Sequence, residues 1–399
     1  MTTINKQDLL RLVKGACFMA SSGGGTYTSG MHLAENFGDP TFYTSGELEV
    51  ANLDDLEDDK LGVMIAYIGS PKKMEEIFFP KGIVYAVRAI EEKYNTKISY
   101  IVPPEIGAIS MLAACATAGH LNIPVVDGDG GGRAVPELTM TIFSLYNEDT
   151  DPVSLGSENG DVLLLDLEGD VNTASTVEEI VRPVLSLACF DQKAGLAMWV
   201  LPGKELKSII KSKNSISNCI QLGEYIEKQD IDSLFSKADE MGYKPTVVAE
   251  GSNIRVVMEV GGGFDNGKIH FTTESEDEIS IVFKNESMIA WSSGTTTPLV
   301  VAPDLISYLI VFPGETTPQL VYSNTDLATM NPEFLQTGYI SLVLLKAPDW
   351  MWEIEKQLQG RRSQQLLCLP SGSSVQQSYQ SALRSLGYYG RVCDTKNIE

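Results

Sequence analysis

Three short apolar runs, separated by two stretches of helical periodicity, constrain the fold of this chain more than any other feature. The runs are LGVMIAYI (61–68), KISYIV (97–102) and IPVV (123–126). Between the first two, residues 81–95 place Ile83, Val87 and Ile90 on one face and Arg88, Glu91 and Glu92 opposite. Between the second and third, 105–119 (EIGAISMLAACATAG) is apolar nearly all round, which predicts a deeply buried helix. A β-α-β-α-β order with strands apolar on both faces calls for a parallel sheet covered by helices.

DVLLLDL (161–167) is expected to complete that sheet. Residues 176–240 read as helical, with one strand-like stretch at 196–203. From Val247 to about Val321 the pattern becomes short strands between glycine-rich and acidic turns; another strand follows at 339–348 and a terminal helix at 373–387. The expected class is α/β: an N-terminal parallel-sheet three-layer domain over 1–168, then a β-rich α+β domain over 169–399 whose core spans about 245–350.

A net charge of −23 over 399 residues repels phosphate backbones and anionic lipid. A small-molecule substrate is therefore expected, with no nucleic acid and no membrane; a homo-oligomer is allowed but not demanded. No apolar stretch reaches the roughly 18 residues of a membrane span, and the N-terminus lacks the apolar core of a secretory signal. Six scattered cysteines without CxxC spacing suit a reducing, cytoplasmic setting.

GxSxG, GxxxxGK[ST] and HExxH are all missing. GDGGGR (128–133) resembles GxGxxG, but Arg133 stands at the last glycine and flanking aspartates would repel a pyrophosphate, so no nucleotide cofactor is expected. Cys115 and His120 would lie about 140° apart on a helix and cannot share a metal. Cys17 sits on an apolar helical face and reads as an inert buried thiol.

In parallel sheets ligands bind beyond the carboxyl ends of the strands. Glu105 follows KISYIVPP, Asp127 and Asp129 end the IPVVDGD stretch, and Ser70 follows LGVMIAYIG. These groups are expected to share one crevice. Gly130, Gly131 and Gly132 would bring N–H groups close to a ligand. Arg133 would supply a fixed cation or pair with Asp127 or Glu105, and Glu137 is a further contact. The alternative is that Glu105 only favours its helix N-terminus while Arg133 bridges Asp129.

A second glycine loop, SSGGGTYTSG (21–30), offers Ser21, Ser22 and the backbone of Gly23, Gly24 and Gly25 to polar ligand atoms, or is only a helix exit. Asn285 and Glu286 are expected on opposite faces of a strand, one of them completing the crevice. Asp304, after a proline, reads as a helix N-cap. The acids could instead hold a divalent metal through oxygen ligands.

The stretch IVPPEIGAISMLAACATAGHLNIPVVDGDGGGRAVPELTM resembles the signature of the S-methyl thiohydantoin desulfurase-like family, found beside or fused to hydantoinase/oxoprolinase proteins. GGG at 23–25, SISNCIQLG (215–223), GGGFDNGKI (261–269), KNESMIA (284–290) and APDLI (302–306) extend the resemblance over most of 10–310. Departures occur at SSGGGTYTSG, at IGAISML after PPE, and in the last 40 residues. The resemblance implies an N-terminal α/β domain and a C-terminal domain with β structure.

Two functions follow. One is an enzyme acting on a thiohydantoin- or hydantoin-like ring, with Glu105, Asp127 and Asp129 as base or donor acceptors. Arg133 and the Gly130–Gly132 amides would then stabilise charge. The other is a non-catalytic partner subunit of a hydantoinase/oxoprolinase-type assembly.

Overall fold

The computed structural model describes residues 1–43, 45–69, 79–146, 149–261, 264–295, 297–315 and 321–353. The chain divides into two compact units, Met1–Lys228 and Gln229–Glu399. The first compact unit takes in strands and helices beyond position 168, as far as Lys228.

The strands of the first unit are β1 (Thr2–Ile4), β2 (Leu48–Asn52), β3 (Leu61–Gly69), β4 (Ile98–Val102), β5 (Val125–Asp129), β6 (Val153–Gly156), β7 (Val162–Leu165), β8 (Lys193–Pro202) and β9 (Ser212–Lys213). They form one sheet in the order β1-β2-β5-β4-β3-β8-β6-β7, with β9 beside β5. The central β2, β5, β4 and β3 are parallel, as the apolar runs require. The outer pairs are antiparallel, so the sheet is mixed.

Burial explains the placement of the outer strands. β8 is buried along nearly its whole length and lies inside the sheet, against β3. β7 alternates exposed and half-buried residues and forms the edge, separated from β3 by β6 and β8.

The helices of this unit are α1 (Lys6–Met19), α2 (Tyr27–Glu35), α3 (Lys81–Tyr94), α4 (Ala108–Leu121), α5 (Ile142–Tyr146), α6 (Ala174–Val184), α7 (Gly203–Ile209) and α8 (Ser215–Lys228). α1 starts with a capping box in which the Asn5 side chain accepts from the Gln7 and Asp8 N–H groups and Asp8 accepts from Asn5. α4 is buried on almost every side, matching its apolar sequence, and Asn122 ends it in the left-handed region at φ 55°. His120 lies in its last turn.

α1 and α8 touch backbone to backbone. A Cβ on Gly15 would stand 1.9 Å from the Cys219 carbonyl oxygen, and one on Gly223 would stand 1.9 Å from that of Arg11. Arg11 and Lys14 pair with Glu227 across the same contact, at 3.0 and 2.9 Å. Cys17 is buried, as expected.

The second unit is a seven-stranded antiparallel sheet. Its strands are β10 (Lys244–Gly261), β11 (Phe264–Thr272), β12 (Glu278–Lys284), β13 (Ser287–Ser292), β14 (Val300–Val301), β15 (Leu305–Val311) and β16 (Tyr339–Lys346). Their order is β14-β13-β12-β11-β10-β16-β15. Ile269, Phe271, Ile281, Phe283, Tyr308 and Leu342 belong to its core, with short helices α9 (Ile231–Glu240), α10 (Asn324–Thr329) and α11 (Pro332–Thr337) in the same unit.

Two local expectations are corrected here. Asn285 and Glu286 are not in a strand: they are the two-residue turn between β12 and β13, whose last pair is Lys284 with Ser287. Asn285 takes φ 48°, which asparagine tolerates and two-residue hairpin turns demand. Asp304 caps no helix; its Oδ1 accepts the Ala347 N–H at 2.8 Å, tying the start of β15 to the end of β16. The helix expected at 373–387 lies outside the described residues. No described helix is long and apolar enough to cross a membrane.

Candidate functional site

Asp127 and Asp129 sit two residues apart on β5, and both are buried, at 5% and 1% exposure. Asp127 Oδ1 accepts the N–H groups of Ile216 (2.9 Å) and Ser217 (3.2 Å), and Oδ2 accepts the Ser217 hydroxyl at 2.5 Å. Those donors are in the first turn of α8, so Asp127 acts as a cap supplied from a distant strand. Asp129 Oδ1 accepts the N–H groups of Gly131 (2.8 Å) and Gly132 (2.6 Å), and Oδ2 accepts the Ser212 hydroxyl at 2.5 Å. Burial pushes both carboxyls above the usual aspartate range, against the opposing pull of these hydrogen bonds.

Both acids therefore hold the fold, and the expectation that they present lone pairs in an open crevice is corrected. The glycine amides change role as well. Those of Gly131 and Gly132 serve Asp129, and that of Gly130 donates to the Pro104 carbonyl at 3.1 Å, so all three are engaged within the protein. Among the described residues no group of three or more His, Cys, Asp or Glu is arranged to hold a metal ion.

Glu105 is placed differently. It is half-buried, after Pro103 and Pro104 at the end of β4 and just before α4. Its Oε2 accepts the Val135 N–H at 2.5 Å and its Oε1 the Ser110 hydroxyl at 2.7 Å. It thus joins the loop after β4 to the loop after β5, and a Cβ on Gly131 would lie 3.3 Å from its own.

The first glycine loop comes to the same place. The Ile109 N–H donates to the Gly24 carbonyl at 2.9 Å. A Cβ on Gly24 would stand 2.5 Å from Gly107 Cα, and one on Gly107 would stand 2.6 Å from Gly24 Cα. Gly24 also has φ 65°, and the buried Ser21 and Ser22 take φ 53° and 62°. Three segments meet here: Ser22–Gly25 after α1, Glu105–Gly107 after β4, and Gly130–Val135 after β5.

Beneath Gly130 lies an aromatic support. The Phe143 ring edge occupies the space a Cβ would need, at 2.3 Å, and Trp199 stacks on Phe143 with centroids 5.5 Å apart. Trp199 is fully buried, with φ 49°, at a register shift between β3 and β8.

Arg133 is 1% exposed, and its Nε donates to the Ala134 carbonyl at 3.0 Å. Glu137, also buried, accepts the Thr139 hydroxyl at 3.4 Å. The next N–H, of Leu138, donates to Glu178, which pairs with Arg182 at 3.1 Å. Ser70 lies outside the described residues. Asn285 and Glu286 belong to the second unit.

Sequence reading missed the roles of Ser212 and Ser217. No local pattern around SISNC reports that this helix begins against β5. It also missed Phe143 and Trp199, which read as ordinary core residues.

The first unit matches the model for "S-Me-THD-like, N-terminal domain" over residues 7–167, and 172–360 match "S-Me-THD-like, C-terminal domain". A crystal structure of a protein from Chromobacterium violaceum is 28% identical, with a TM-score of 0.80 over 98% of each chain. No curated protein matches. With these two domains following one another along most of its length, the chain belongs to the S-Me-THD-like family.

Proposed function

We propose that the protein is an enzyme that acts on a small cyclic amide or thioamide of the thiohydantoin or hydantoin type by hydrolytic desulfurisation. The observation that carries this reading is the position of Glu105. It remains half-exposed where three ligand-type loops meet, while Asp127 and Asp129 are consumed by the scaffold. Membership of the S-Me-THD-like family supports the substrate class.

In this reading Glu105 takes a proton from water as the oxygen adds to the ring carbon that bears sulfur. The carbon–sulfur bond then breaks with its electron pair going to sulfur, which takes the proton from Glu105 and leaves as the thiol, while the second water proton passes from oxygen to the ring nitrogen as the carbonyl forms. Val135 and Ser110 orient the carboxylate, and the buried Arg133 guanidinium favours negative charge developing nearby.

The test is release of methanethiol from S-methyl thiohydantoins, followed with a thiol reagent. Glu105→Gln, which keeps an acceptor for the Val135 N–H or the Ser110 hydroxyl, is expected to lose about hundredfold in kcat/KM, the lower end for a general base, with a smaller loss of stability than Glu105→Ala, which strands both donors. Failure of the parent protein to turn over any thiohydantoin or hydantoin would remove this reading and leave a non-catalytic partner subunit.

A further inference from the structure

The first sheet ends on an uncovered strand. Among the described strands β7 pairs with β6 alone, and it stands last in the sheet order. The Ser157 N–H donates to the Asp161 carbonyl at 2.8 Å, closing the turn between β6 and β7. Antiparallel pairs alternate from that bond onward, so Leu163 and Leu165 spend their backbone groups on β6. The N–H and C=O of Val162 and Leu164 face away from the sheet. The side chains of the same two residues are exposed, at 42% and 36%. The strand itself holds no charge and no proline, the usual guards of an edge.

Acids stand at both ends of it. Asp161 is exposed where β7 begins, and Asp166 and Glu168 are exposed where the chain leaves it. Burial pushes the Asp151 carboxyl above the usual aspartate range; the Leu167 N–H opposes the rise, and the charges of Asp166, Asp149 and Glu168 add to it. Asp149 and Asp151 therefore belong to the same end as Asp166. Among the described residues none of these five acids is in an ion pair.

These charges select what can add to the edge. A second copy pairing through its own β7 sets acid against acid in either direction, which is destabilising. A strand of opposite charge gains at both ends. Its backbone answers the outward groups of Val162 and Leu164, as in other cases of strand addition, and its apolar side chains cover theirs.

We propose that β7 is a docking edge for an extended segment of another protein, apolar in its middle and flanked by lysine or arginine. The proposal goes beyond the function argued above and does not depend on Glu105.

The experiment follows the Val162 and Leu164 backbone amide signals of the full chain by NMR during titration with the peptide KKVTVTVKK. Both signals are expected to shift and saturate, and to stay in place with EEVTVTVEE, in which glutamate replaces each lysine. Leu164→Pro removes an outward N–H at an edge position, where proline is tolerated. It is expected to abolish the response at Val162. Asp166→Asn combined with Glu168→Gln is expected to weaken binding by about fivefold.

Unmoved signals in the parent protein overturn the proposal, and so does an equal response to EEVTVTVEE or one that survives Leu164→Pro. Binding as tight in the doubly neutralised variant as in the parent overturns it as well. Signals that move with protein concentration instead of peptide, with a doubled mass in light scattering, would assign the edge to a second copy and equally overturn it. Should Leu164→Pro not fold, the two peptides and the neutralised variant still decide.

Discussion

Asp129→Ala is expected to lose about 4 kcal/mol of folding free energy in urea denaturation. The change removes one side chain but strands two buried donors, the Gly131 and Gly132 N–H groups, and the half-buried Ser212 hydroxyl. Each unmatched donor costs about 1–3 kcal/mol. The loop they brace also carries Arg133, so its order suffers with its stability. Asp129→Asn keeps an oxygen for the two amides and is expected to lose less than half as much. Equal losses in the two variants would show that these hydrogen bonds are not what the carboxylate contributes.

The pH dependence has a definite sign. Burial raises the Asp129 carboxyl in the folded state above its unfolded value of about 3.9. A raised acid favours the folded state when protonated. Its contribution is fully present below the unfolded value and is lost as pH rises through the folded one. The stability of the parent protein relative to Asp129→Asn is therefore expected to improve as pH falls from neutral toward the ordinary aspartate range. Comparison with the variant cancels the other carboxylates, several of which shift the opposite way, Glu227 among them.

Gly223→Ala is the second large effect, expected to cost about 3 kcal/mol. In an exposed helix the same change gains about 1 kcal/mol, so a loss here reverses the usual sign. The added carbon would stand 1.9 Å from the Arg11 carbonyl oxygen, and backbone cannot yield as a flexible side chain can. Relief requires α1 and α8 to separate. That would draw the first turn of α8 away from Asp127, which depends on it for three hydrogen bonds. Unfolding monitored by circular dichroism measures the cost; a variant as stable as the parent would show that the helices are not held at this distance. Gly15→Ala, with the same 1.9 Å clash against Cys219, is expected to behave alike.

What was legible in the sequence follows from the range of the forces involved. Strand runs buried on both faces and a helix apolar all round are local patterns, and β3, β4, β5, α3 and α4 stand within a few residues of their expected places. The meeting of Glu105 with the glycine loop after β5 was also readable, because strand ends in a parallel sheet share one edge.

Three matters were not readable. That β8 inserts beside β3 depends on a chain reversal with no local signature, and this alters the sheet from parallel to mixed. An aspartate at a strand end looks the same whether it faces a ligand or a helix terminus arriving some ninety positions later, as Ser217 does for Asp127. Lys-Asn-Glu-Ser reads equally as strand or turn, and only the pairing of Lys284 with Ser287 decides it.

The stack of Trp199 on Phe143, against the space beside Gly130, equips the first unit with an internal optical gauge. An indole sealed from water emits at short wavelength, and this one sits a single ring away from the segment that carries Arg133. Any ligand that shifts that segment must disturb the ring below it, so the emission colour of Trp199 reports occupancy without a label. In a variant retaining Trp199 as its sole tryptophan, a change of hue on adding a thiohydantoin would register the event before any product accumulates.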